Sequence, residues 1–383
     1  MRVLIDYRPA LKQRSGVGEY THELAKALLA AFPRIGAAPT LDLTIFSSSW
    51  KDRLDAADLG GATAIDRRVP VSVLNLLWHR LGWPAAETLT GRTFDVAHSL
   101  SPMLLPARAA AHVIMIHDLD FLSHPERTRA EIRRYYVPLA RAHAQRADAV
   151  IVPSLFTAGE VERRLGVPRD RVAVCPPGAP DWTPRAAAPD AGSVLFFGTL
   201  EPRKNVGGLL DAYERLLTRR AENGPDRSQV PELVLAGKAT DDARAWLDRL
   251  AQPPLAGRAR HIGYVDPAGR RALYEGARLV VQPSFEEGFG ITVLEAMTLG
   301  VPVVAANRGA LPELLGDAGL LVDPAQPAAM AEAIARVLSD ARLAAECAAR
   351  GRARARDFRW DRTARQVYDV YQLAIEHRRC ASA

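Results

Sequence analysis

The sequence is poor in cysteine and lacks a long apolar run. Its 383 residues include only Cys175, Cys347 and Cys380, which lie far apart and form no Cys-x-x-Cys pair. An odd, sparse set is unlike a disulfide framework or a zinc site and favours a reducing cytoplasm. No apolar run approaches the roughly 18 residues that a membrane-spanning helix needs. The start, Met1 to Asp6, is too short an apolar stretch for a signal peptide, so we predict a cytoplasmic protein that begins with a strand.

The charges are too balanced to identify a partner. The net charge is +6, with 25% charged and 48% hydrophobic residues, which is the profile of a soluble globular protein. This mild excess of positive charge is compatible with nucleotides or acidic lipids, but we predict no nucleic-acid binding. The length exceeds one ordinary hydrophobic core and suits two domains.

Short β-branched runs alternate with longer helical patterns along the chain. This alternation predicts βαβ units, and hence an α/β protein with parallel sheets covered by helices on both faces. A stretch rich in proline, glycine and small residues, 176–192, interrupts the pattern and indicates a linker. We therefore predict two Rossmann-like domains, residues 1–183 and 184–360. Residues 361–383 contain a predicted helix, which is either an ordinary terminal helix or one that crosses back to the first domain.

The strands are predicted from the same pattern. In the first half they are Val3–Asp6, Leu41–Phe46, Phe94–His98, His112–Ile116, Ala149–Val152 and Val172–Val174. In the second half they are Val194–Phe197, Leu233–Ala236, His261–Gly263, Leu279–Gln282, Val303–Ala306 and Leu320–Val322.

Glycines and two glutamates meet at the start of a predicted helix. A strand that ends at Gln282 leads into a loop with Gly288 and Gly290, where the backbone can approach an anion closely. The first N–H groups of the helix favour phosphate. Glu287 lies in the loop, within reach of sugar hydroxyls. Glu295 lies about two turns into an apolar helix, so its carboxylate needs a partner, either the two hydroxyls of a ribose or a neighbouring arginine.

The string Pro-Ser-x-x-Glu-Gly-Phe-Gly-x-x-x-Leu-Glu-Ala-Met, residues 283–297, resembles the signature of family 4 of the retaining glycosyltransferases. The resemblance implies the GT-B fold, in which two Rossmann-like α/β/α domains face each other across a cleft. It also implies that Glu287 contacts the donor sugar and that Glu295 contacts the ribose. It assigns four consecutive residues to the donor phosphates and their surroundings: Gly288, Phe289, Gly290 and Ile291.

Two adjacent cations follow the first strand of the second half. Arg203 and Lys204 precede a predicted helix, where cations are unfavourable, so a bound pyrophosphate would explain them better than two solvated charges. The string from Phe197 to Asn205 resembles the Glu-Pro-x-Lys stretch of the same family. Many members carry an arginine shortly after the glycine equivalent to Gly198, where this chain has Thr199. We expect Arg203 and Lys204 to neutralise the departing phosphate, with Gly198 in the donor site.

The first half contributes a short glycine pattern. Gly16-Val17-Gly18 resembles the glycine-rich loop of the family, although Thr21 stands where a third glycine is usual. A lone pair of glycines is weak evidence. Gly16 and Gly18 are predicted to lie in a loop that contacts the donor phosphates or the acceptor, with a plain turn as the alternative.

His117 and Asp118 follow a buried-looking strand, at the sheet edge where α/β proteins bind ligands. The resemblance implies that His117 contacts the donor sugar and that Asp118 supports it; a hydrogen-bonded core histidine is the alternative. Asp118 and Asp120 form a pattern that binds metal in a different glycosyltransferase fold. Because two carboxylates alone are a poor metal site, we predict that no metal is required.

Three further stretches are interpreted from weaker signals. Tyr264 and Val265 belong to a string that resembles the segment whose backbone reads the nucleotide base, and 307–313 resembles a loop beside the phosphates. The arginine-rich stretch Arg127 to Arg146 is either a solvated helix face or a peripheral contact with anionic lipid at the inner face of the plasma membrane. Each basic residue near such a surface contributes about 1 kcal/mol.

The resemblance implies a transferase that moves a hexose from a nucleotide sugar to a hydroxyl of a glycan or lipid-linked acceptor, with retention of the anomeric configuration. The variant Glu-Pro-Arg-Lys-Asn resembles bacterial mannosyltransferases of polysaccharide and O-antigen assembly, so GDP-mannose is the first expected donor and UDP-glucose the second. The nucleotide sugar is a substrate, and no cofactor is predicted. The alternatives are a hydrolysing nucleotide-sugar epimerase and a non-catalytic nucleotide-sugar-binding protein.

Overall fold

A computed structural model describes residues 1–11, 16–33, 39–124, 130–222 and 230–382. The chain divides into two compact units. The first unit combines Met1–Gly178 with Phe358–Ala383, and the second is Ala179–Asp357. Each unit is an α/β structure with a parallel sheet, which confirms the predicted fold class.

The first unit contains a seven-stranded parallel sheet in the order β3-β2-β1-β4-β5-β6-β7. Its strands are β1 (Arg2–Asp6), β2 (Asp42–Ser48), β3 (Thr63–Arg67), β4 (Val96–Ser99), β5 (Ala111–Met115), β6 (Ala149–Val152) and β7 (Val172–Val174). Its helices are α1 (Val17–Ala31), α2 (Val71–Leu81), α3 (Ala86–Thr90), α4 (Asp120–Ser123), α5 (Ala130–Arg146), α6 (Leu155–Leu165) and, after the second unit, α14 (Trp360–Ser382).

The second unit contains a six-stranded parallel sheet in the order β10-β9-β8-β11-β12-β13. Its strands are β8 (Ser193–Phe197), β9 (Leu233–Ala236), β10 (Ala259–His261), β11 (Ala277–Gln282), β12 (Val303–Ala306) and β13 (Leu320–Val322). Its helices are α7 (Val206–Glu222), α8 (Arg244–Leu250), α9 (Pro267–Glu275), α10 (Ile291–Leu299), α11 (Leu311–Leu315), α12 (Pro327–Ser339) and α13 (Ala341–Ala355).

The central strands are apolar on both faces because helices cover both sides of each sheet. In β1, Val3 and Ile5 pack into one buried cluster, while Leu4 packs into a second cluster with Phe46 and Trp78. The carboxyl ends of parallel strands lie at one edge of their sheet, and the loops that follow them are brought together there. This arrangement positions the residues described in the next subsection.

The prediction missed one strand, and a second strand lies two residues earlier than predicted. β3 is an edge strand with a half-exposed pattern and contains both Asp66 and Arg67, so it lacks the apolar run on which the other strand predictions depended. The strand predicted at His261–Gly263 lies at Ala259–His261 instead. Gly263 adopts a φ of +72°, which ends the extended backbone.

The last helix, α14, packs on the first unit, mainly against α1 and β5. Its Tyr371 is fully buried, and the phenolic oxygen lies 2.7 Å from Nδ1 of His98 on β4. Phe32 stacks on Tyr368 with 4.2 Å between the ring centroids. A side chain at Gly178 would overlap Trp360, so the chain leaves and re-enters this unit at one place. Among the helices that the structure describes, none combines the length and apolarity needed to cross a membrane.

Candidate active site

Three loops of the second unit meet at Glu287. The turn after β8 is joined to the loop after β11, because Phe285 N–H donates to the Arg203 carbonyl at 2.8 Å. The loop after β12 joins them, because Ala310 N–H donates to the Glu287 carbonyl at 2.9 Å. Gly309 has a φ of +61°, and a side chain there would overlap the Glu287 backbone. The glutamate is thus fixed at the carboxyl edge of the sheet.

The predicted phosphate-binding cations lie beside this glutamate. Lys204 Nζ donates to Glu287 Oε1, and Arg203 Nη1 lies 3.5 Å from Glu287 Oε2. Arg203 also pairs with Glu201 at 2.7 Å, so two cations face two carboxylates. Arg203 and Lys204 thus lie at the edge where they were expected, and their pairing with Glu287 is an addition from the structure.

The carboxyl of Glu287 is held ionised. Burial alone would raise its pKa, but Lys204 and Arg203 outweigh burial and lower that pKa to about 2. Burial lowers the pKa of the Lys204 ammonium, and Glu287 opposes that shift. An ion pair of this kind is a preorganised, water-poor electrostatic site.

Two polar residues that the sequence analysis missed complete the environment of Glu287. Its Oε1 accepts hydrogen bonds from Gln282 Nε2 and Ser284 Oγ, both at 2.8 Å. Gln282 Oε1 also accepts from Thr292 Oγ1 at 3.0 Å and so links the glutamate to the first turn of α10. Gln282 follows the apolar run Leu279–Val281 at the end of β11 and is fully buried, and a polar residue at that position was the signal in the sequence.

The predicted anion-binding helix start is present at α10. Gly290 precedes the helix with a φ of +108°, and a side chain there would come within 2.8 Å of Leu311 on α11. Glycine is therefore required both by the backbone and by close packing. Ile291 is the first residue of α10. The donor-phosphate role that the resemblance gives to Gly288–Gly290 and Ile291 stays a prediction.

Glu295 has two protein partners, an arginine and a tyrosine. It is 3% exposed and forms a two-point ion pair with Arg270 on α9, and its Oε2 accepts from Tyr274 Oη at 2.7 Å. Of the two partners considered from the sequence, the structure shows the arginine, together with Tyr274. A ribose contact at Glu295 stays a prediction from the resemblance. Arg270 could not be identified from the sequence as the partner of Glu295, because it lies 25 residues away on another helix.

The ends of β8, β9 and β10 form the neighbouring part of this edge. A side chain at Gly237 would overlap the Gly198 carbonyl, so the two backbones approach closely. Gly237 N–H donates to the Gly263 carbonyl at 2.8 Å. Tyr264 lies under Lys238, whose Nζ is 5.2 Å from the ring centroid. Gly198 and Tyr264 are thereby placed in adjacent loops of one unit.

Val265 lies in the same loop as Tyr264 and packs against the start of α9. A side chain at Gly269 would come within 3.1 Å of its Cγ1. The carboxylate of Asp266 accepts from Gly269 N–H at 2.7 Å and caps the helix that carries Arg270. The predicted base-reading loop and the partner of Glu295 are therefore parts of one continuous segment.

His117 is half-buried at the carboxyl end of β5 in the first unit. Its Nε2 lies 3.3 Å from the Leu100 carbonyl, and the Tyr20 ring packs edge-on at 5.3 Å. Burial lowers the pKa of His117 to about 4, so the ring is neutral at pH 7. A carbonyl only accepts, so Nε2 carries the proton and Nδ1 is the acceptor. Asp118 Oδ1 accepts from Asp120 N–H at 3.3 Å.

The predicted glycine loop differs from the structure. Gly18 is the second residue of α1, not a loop residue, and a side chain there would come within 2.7 Å of the Pro9 carbonyl. It is a packing glycine. Gly16 precedes the helix with a φ of +52°. Of the basic stretch, Arg127 and Arg129 lie outside the described residues.

Comparisons with known proteins agree with this architecture. Residues 14–181 match the family model described as Glycosyltransferase Family 4, and residues 191–340 match Glycosyl transferases group 1. The chain is 30% identical to O-antigen chain mannosyltransferase B of Escherichia coli, over 97% of this chain and 100% of that protein. It is 28% identical to a D-inositol 3-phosphate glycosyltransferase of Salinispora tropica, over 97% of this chain and 84% of that protein.

A solved structure shares the fold of the whole chain. Sucrose-phosphate synthase from Thermosynechococcus elongatus superposes with a TM-score of 0.76 at 22% identity, covering 97% of this chain and 98% of that one. At this identity the likeness concerns the fold alone, and it agrees with two parallel-sheet units in tandem.

Proposed function

This chain belongs to the GT-B glycosyltransferases, and we propose that it is a retaining member of family 4 that transfers a hexose from a nucleoside-diphosphate sugar. The acceptor is a hydroxyl of a glycan or of a lipid-linked glycan. The observation that carries the proposal is the buried pair of Glu287 and Lys204, with the half-buried Arg203 beside it, next to the start of α10. A nucleoside-diphosphate sugar needs cations for its two phosphates and a carboxylate for its sugar hydroxyls, and this sheet edge offers both.

In the proposed reaction, the bond between the anomeric carbon and the phosphate oxygen breaks, and its electron pair leaves with the nucleoside diphosphate. The acceptor oxygen forms its bond on the same face, and its proton passes to the departing phosphate oxygen. Arg203, Lys204 and the N–H groups at the start of α10 neutralise the departing charge. The transfer is complete in this single step, so no covalent intermediate with the protein is needed.

Glu287 suits a positioning role better than that of a nucleophile. Its Oε1 accepts three hydrogen bonds, from Lys204, Gln282 and Ser284, and its pKa is about 2. Such a carboxylate is weakly basic, so attack on the anomeric carbon is unfavourable. We assign it to the hydroxyls of the donor sugar, and His117, whose Nδ1 is an acceptor, to a further sugar hydroxyl. Glu295 is assigned to the ribose.

Mannose is the first proposed sugar because of the E. coli relative, which is a mannosyltransferase by name and is matched over its whole length. The first test is a thermal-shift panel of GDP-mannose, UDP-glucose and their free nucleotides, since a ligand of the folded state raises the melting temperature. We expect the largest rise with GDP-mannose. The triple variant Arg203→Gln, Lys204→Gln, Glu295→Gln should lose the rise, and an unchanged rise would refute the assigned site.

Product analysis separates the alternatives. With donor and an acceptor extract, a transferase yields a glycosylated acceptor whose new bond keeps the anomeric configuration of the donor. A hydrolysing epimerase releases free sugar or its epimer from the donor alone, and a binding protein gives no product. Metal independence is part of the proposal, so treatment with a chelator should leave the transfer rate unchanged.

A further inference from the structure

Asn205 follows the two cations of the candidate site and adopts a left-handed backbone. Among the residues that the structure describes, it is the only one other than glycine with a positive φ, at +54°. Asparagine tolerates this region better than most residues. Asn205 ends the short turn Pro202–Lys204, and its carbonyl accepts from Leu209 N–H at 3.1 Å as α7 begins. The residue therefore fixes the direction in which the chain passes from the site into α7.

The side chain of Asn205 joins three loops of the second unit. Its Nδ2 donates to the Pro283 carbonyl at 3.1 Å and to the Pro324 carbonyl at 2.8 Å. Its Oδ1 accepts from Gly208 N–H, in the first turn of α7, at 3.2 Å. Pro283 follows β11 and Pro324 follows β13, so one amide connects the carboxyl ends of three strands. Asn205 is 7% exposed, and burial shields these hydrogen bonds from water.

Asparagine meets every requirement of this position. Its amide supplies two donors and one acceptor on a short side chain. Aspartate has the same shape but no donor, so it would place an oxygen against both proline carbonyls. Glycine would keep the backbone conformation but would remove the donor from both carbonyls. A side chain at Gly208 would overlap the Asn205 amide, so the glycine makes room for it.

The amide lies next to the buried ion pair of the site. Asn205 directly follows Lys204, and Pro283 lies four residues before Glu287. The hydrogen bond from Asn205 to Pro283 and the ion pair of Lys204 with Glu287 therefore join the same two segments, the turn after β8 and the loop after β11. Because Lys204 is buried, its ammonium depends on Glu287, and a displaced turn would separate the two charges.

We propose that Asn205 is a positioning residue for the transfer reaction and holds Lys204 against Glu287 in the geometry that receives the departing phosphate. This inference rests on the proposed function, which assigns Lys204 to the departing charge. A charged group that is already in place stabilises the transition state without rearrangement. The alternative is a residue that only caps α7 through the bond from Gly208 N–H to its Oδ1.

Two substitutions at this position separate the two roles. Aspartate caps helices as well as asparagine does, so Asn205→Asp should keep its activity if the residue is only a cap. The positioning role predicts a loss in both Asn205→Asp and Asn205→Gly. With a fixed acceptor extract, we expect the apparent kcat to fall by about 10- to 100-fold. The KM for GDP-mannose should change by less than about threefold, because Lys204 acts mainly on the departing charge.

Asp340→Gly is the matched control for the loss of a helix cap. Asp340 caps α13 of the same unit by accepting from Leu343 N–H at 3.0 Å, away from the turn after β8. This variant should leave kcat unchanged. Gly208→Ala retains Asn205 but displaces its amide, so it should lower kcat as the substitutions of Asn205 do. Circular dichroism and melting curves give the folded fraction of each variant, and rates are compared per folded molecule.

A measurement without any donor tests the position of Lys204 directly. The chain has only five lysines, so acetylation by acetic anhydride is readily followed at each one by mass spectrometry. Lys204 should react slowly in the parent chain and at least about fivefold faster in Asn205→Gly, because each lost hydrogen bond raises the open population by roughly that factor. Lys26, which is exposed on α1, is the internal reference.

The outcomes distinguish this proposal from the proposed function. Full activity of Asn205→Asp would overturn the proposal, because the residue would then be a cap alone. Unchanged labelling of Lys204 in Asn205→Gly would overturn it as well. A parent chain that transfers no sugar contradicts the proposed function instead, and the labelling still decides whether Asn205 holds Lys204 in place.

Discussion

Glu287 affects both the proposed chemistry of the site and the stability of the second unit. Its 6%-exposed carboxylate is buried with Lys204, so each charge depends on the other. Removing one partner of a buried pair leaves an uncompensated charge, which is generally worse than removing both. The residue that we assign to the donor sugar is therefore also one that the fold requires.

The first prediction concerns the effect of low pH on the stability that Glu287 contributes. Because the folded-state pKa of Glu287 is lowered to about 2, its ionised form stabilises the fold above the unfolded-state pKa near 4.5, and this contribution is lost as pH falls from 4.5 to 2. The contribution is roughly 3 kcal/mol at most. Glu287→Gln should thus lower the melting temperature at pH 7, and the difference from the parent should shrink towards pH 2. Glu346→Gln on α13, where the carboxylate is 42% exposed and paired with Arg342, should have little effect at pH 7.

The second prediction concerns the partner of Glu295. Arg270→Met leaves a buried carboxylate without its cation and should destabilise the second unit by about 3–5 kcal/mol. Arg270→Met with Glu295→Leu should recover much of that loss, while nucleotide affinity stays low if Glu295 binds the ribose. The neighbouring Arg271→Met is the control, since Arg271 pairs with Glu275 in solvent. Urea unfolding measures each effect, and equal losses at Arg270 and Arg271 would contradict the assigned pairing.

At the scale of elements, glycines fix how closely helices and turns approach. Gly290 permits both the left-handed backbone before α10 and the contact with Leu311 on α11. Gly18 has a different role, because it lies inside α1 and allows that helix to approach the Pro9 carbonyl. Two glycines that each belong to a glycine pattern in the sequence therefore have different structural roles.

The third prediction compares two helical glycines of the first unit. Gly18→Ala should destabilise by about 1–3 kcal/mol, because the added methyl group would meet the Pro9 carbonyl. Gly159→Ala on α6 should instead stabilise by about 0.5–1 kcal/mol, because no atom lies within 4 Å of the added carbon. Urea unfolding of both variants tests the pair. A stabilising Gly18→Ala would contradict the close approach of α1 to the Pro9 carbonyl.

At the scale of the molecule, the chain returns to its first unit. The helix α14 places Ala364, Val367 and Tyr371 in the same buried cluster as β1 and α1. A core completed by the last residues of the chain cannot form until those residues are present. The second unit, in contrast, is one continuous segment, Ala179–Asp357.

The fourth prediction follows from this connectivity. A fragment of residues 179–357 should fold alone and unfold cooperatively, whereas residues 1–178 alone should not, because they lack the apolar side of α14. Adding a peptide of residues 358–383 should restore helical circular dichroism and a melting transition to the first fragment. A cooperative transition of residues 1–178 without the peptide would contradict the role given to α14.

The sequence by itself determined the fold class and most of the strands. Apolar runs such as Ala149–Val152 and Val303–Ala306 are visible because a strand buried on both faces must be apolar throughout. The edge strand β3 carries no such constraint and was missed. Glu287 was predicted from its glycine loop, and Arg203 and Lys204 from their place at a helix start, and the structure brings the three together.

Only the tertiary structure decided which side chains are paired. Arg270 binds Glu295 from another helix, Gln282 connects Glu287 to α10, and Gly18 packs on Pro9. Local sequence carries the periodicity of burial, because that depends on neighbours along the chain. Ion pairs and close contacts depend on neighbours in space, so they are settled only when the strands and helices have been assembled.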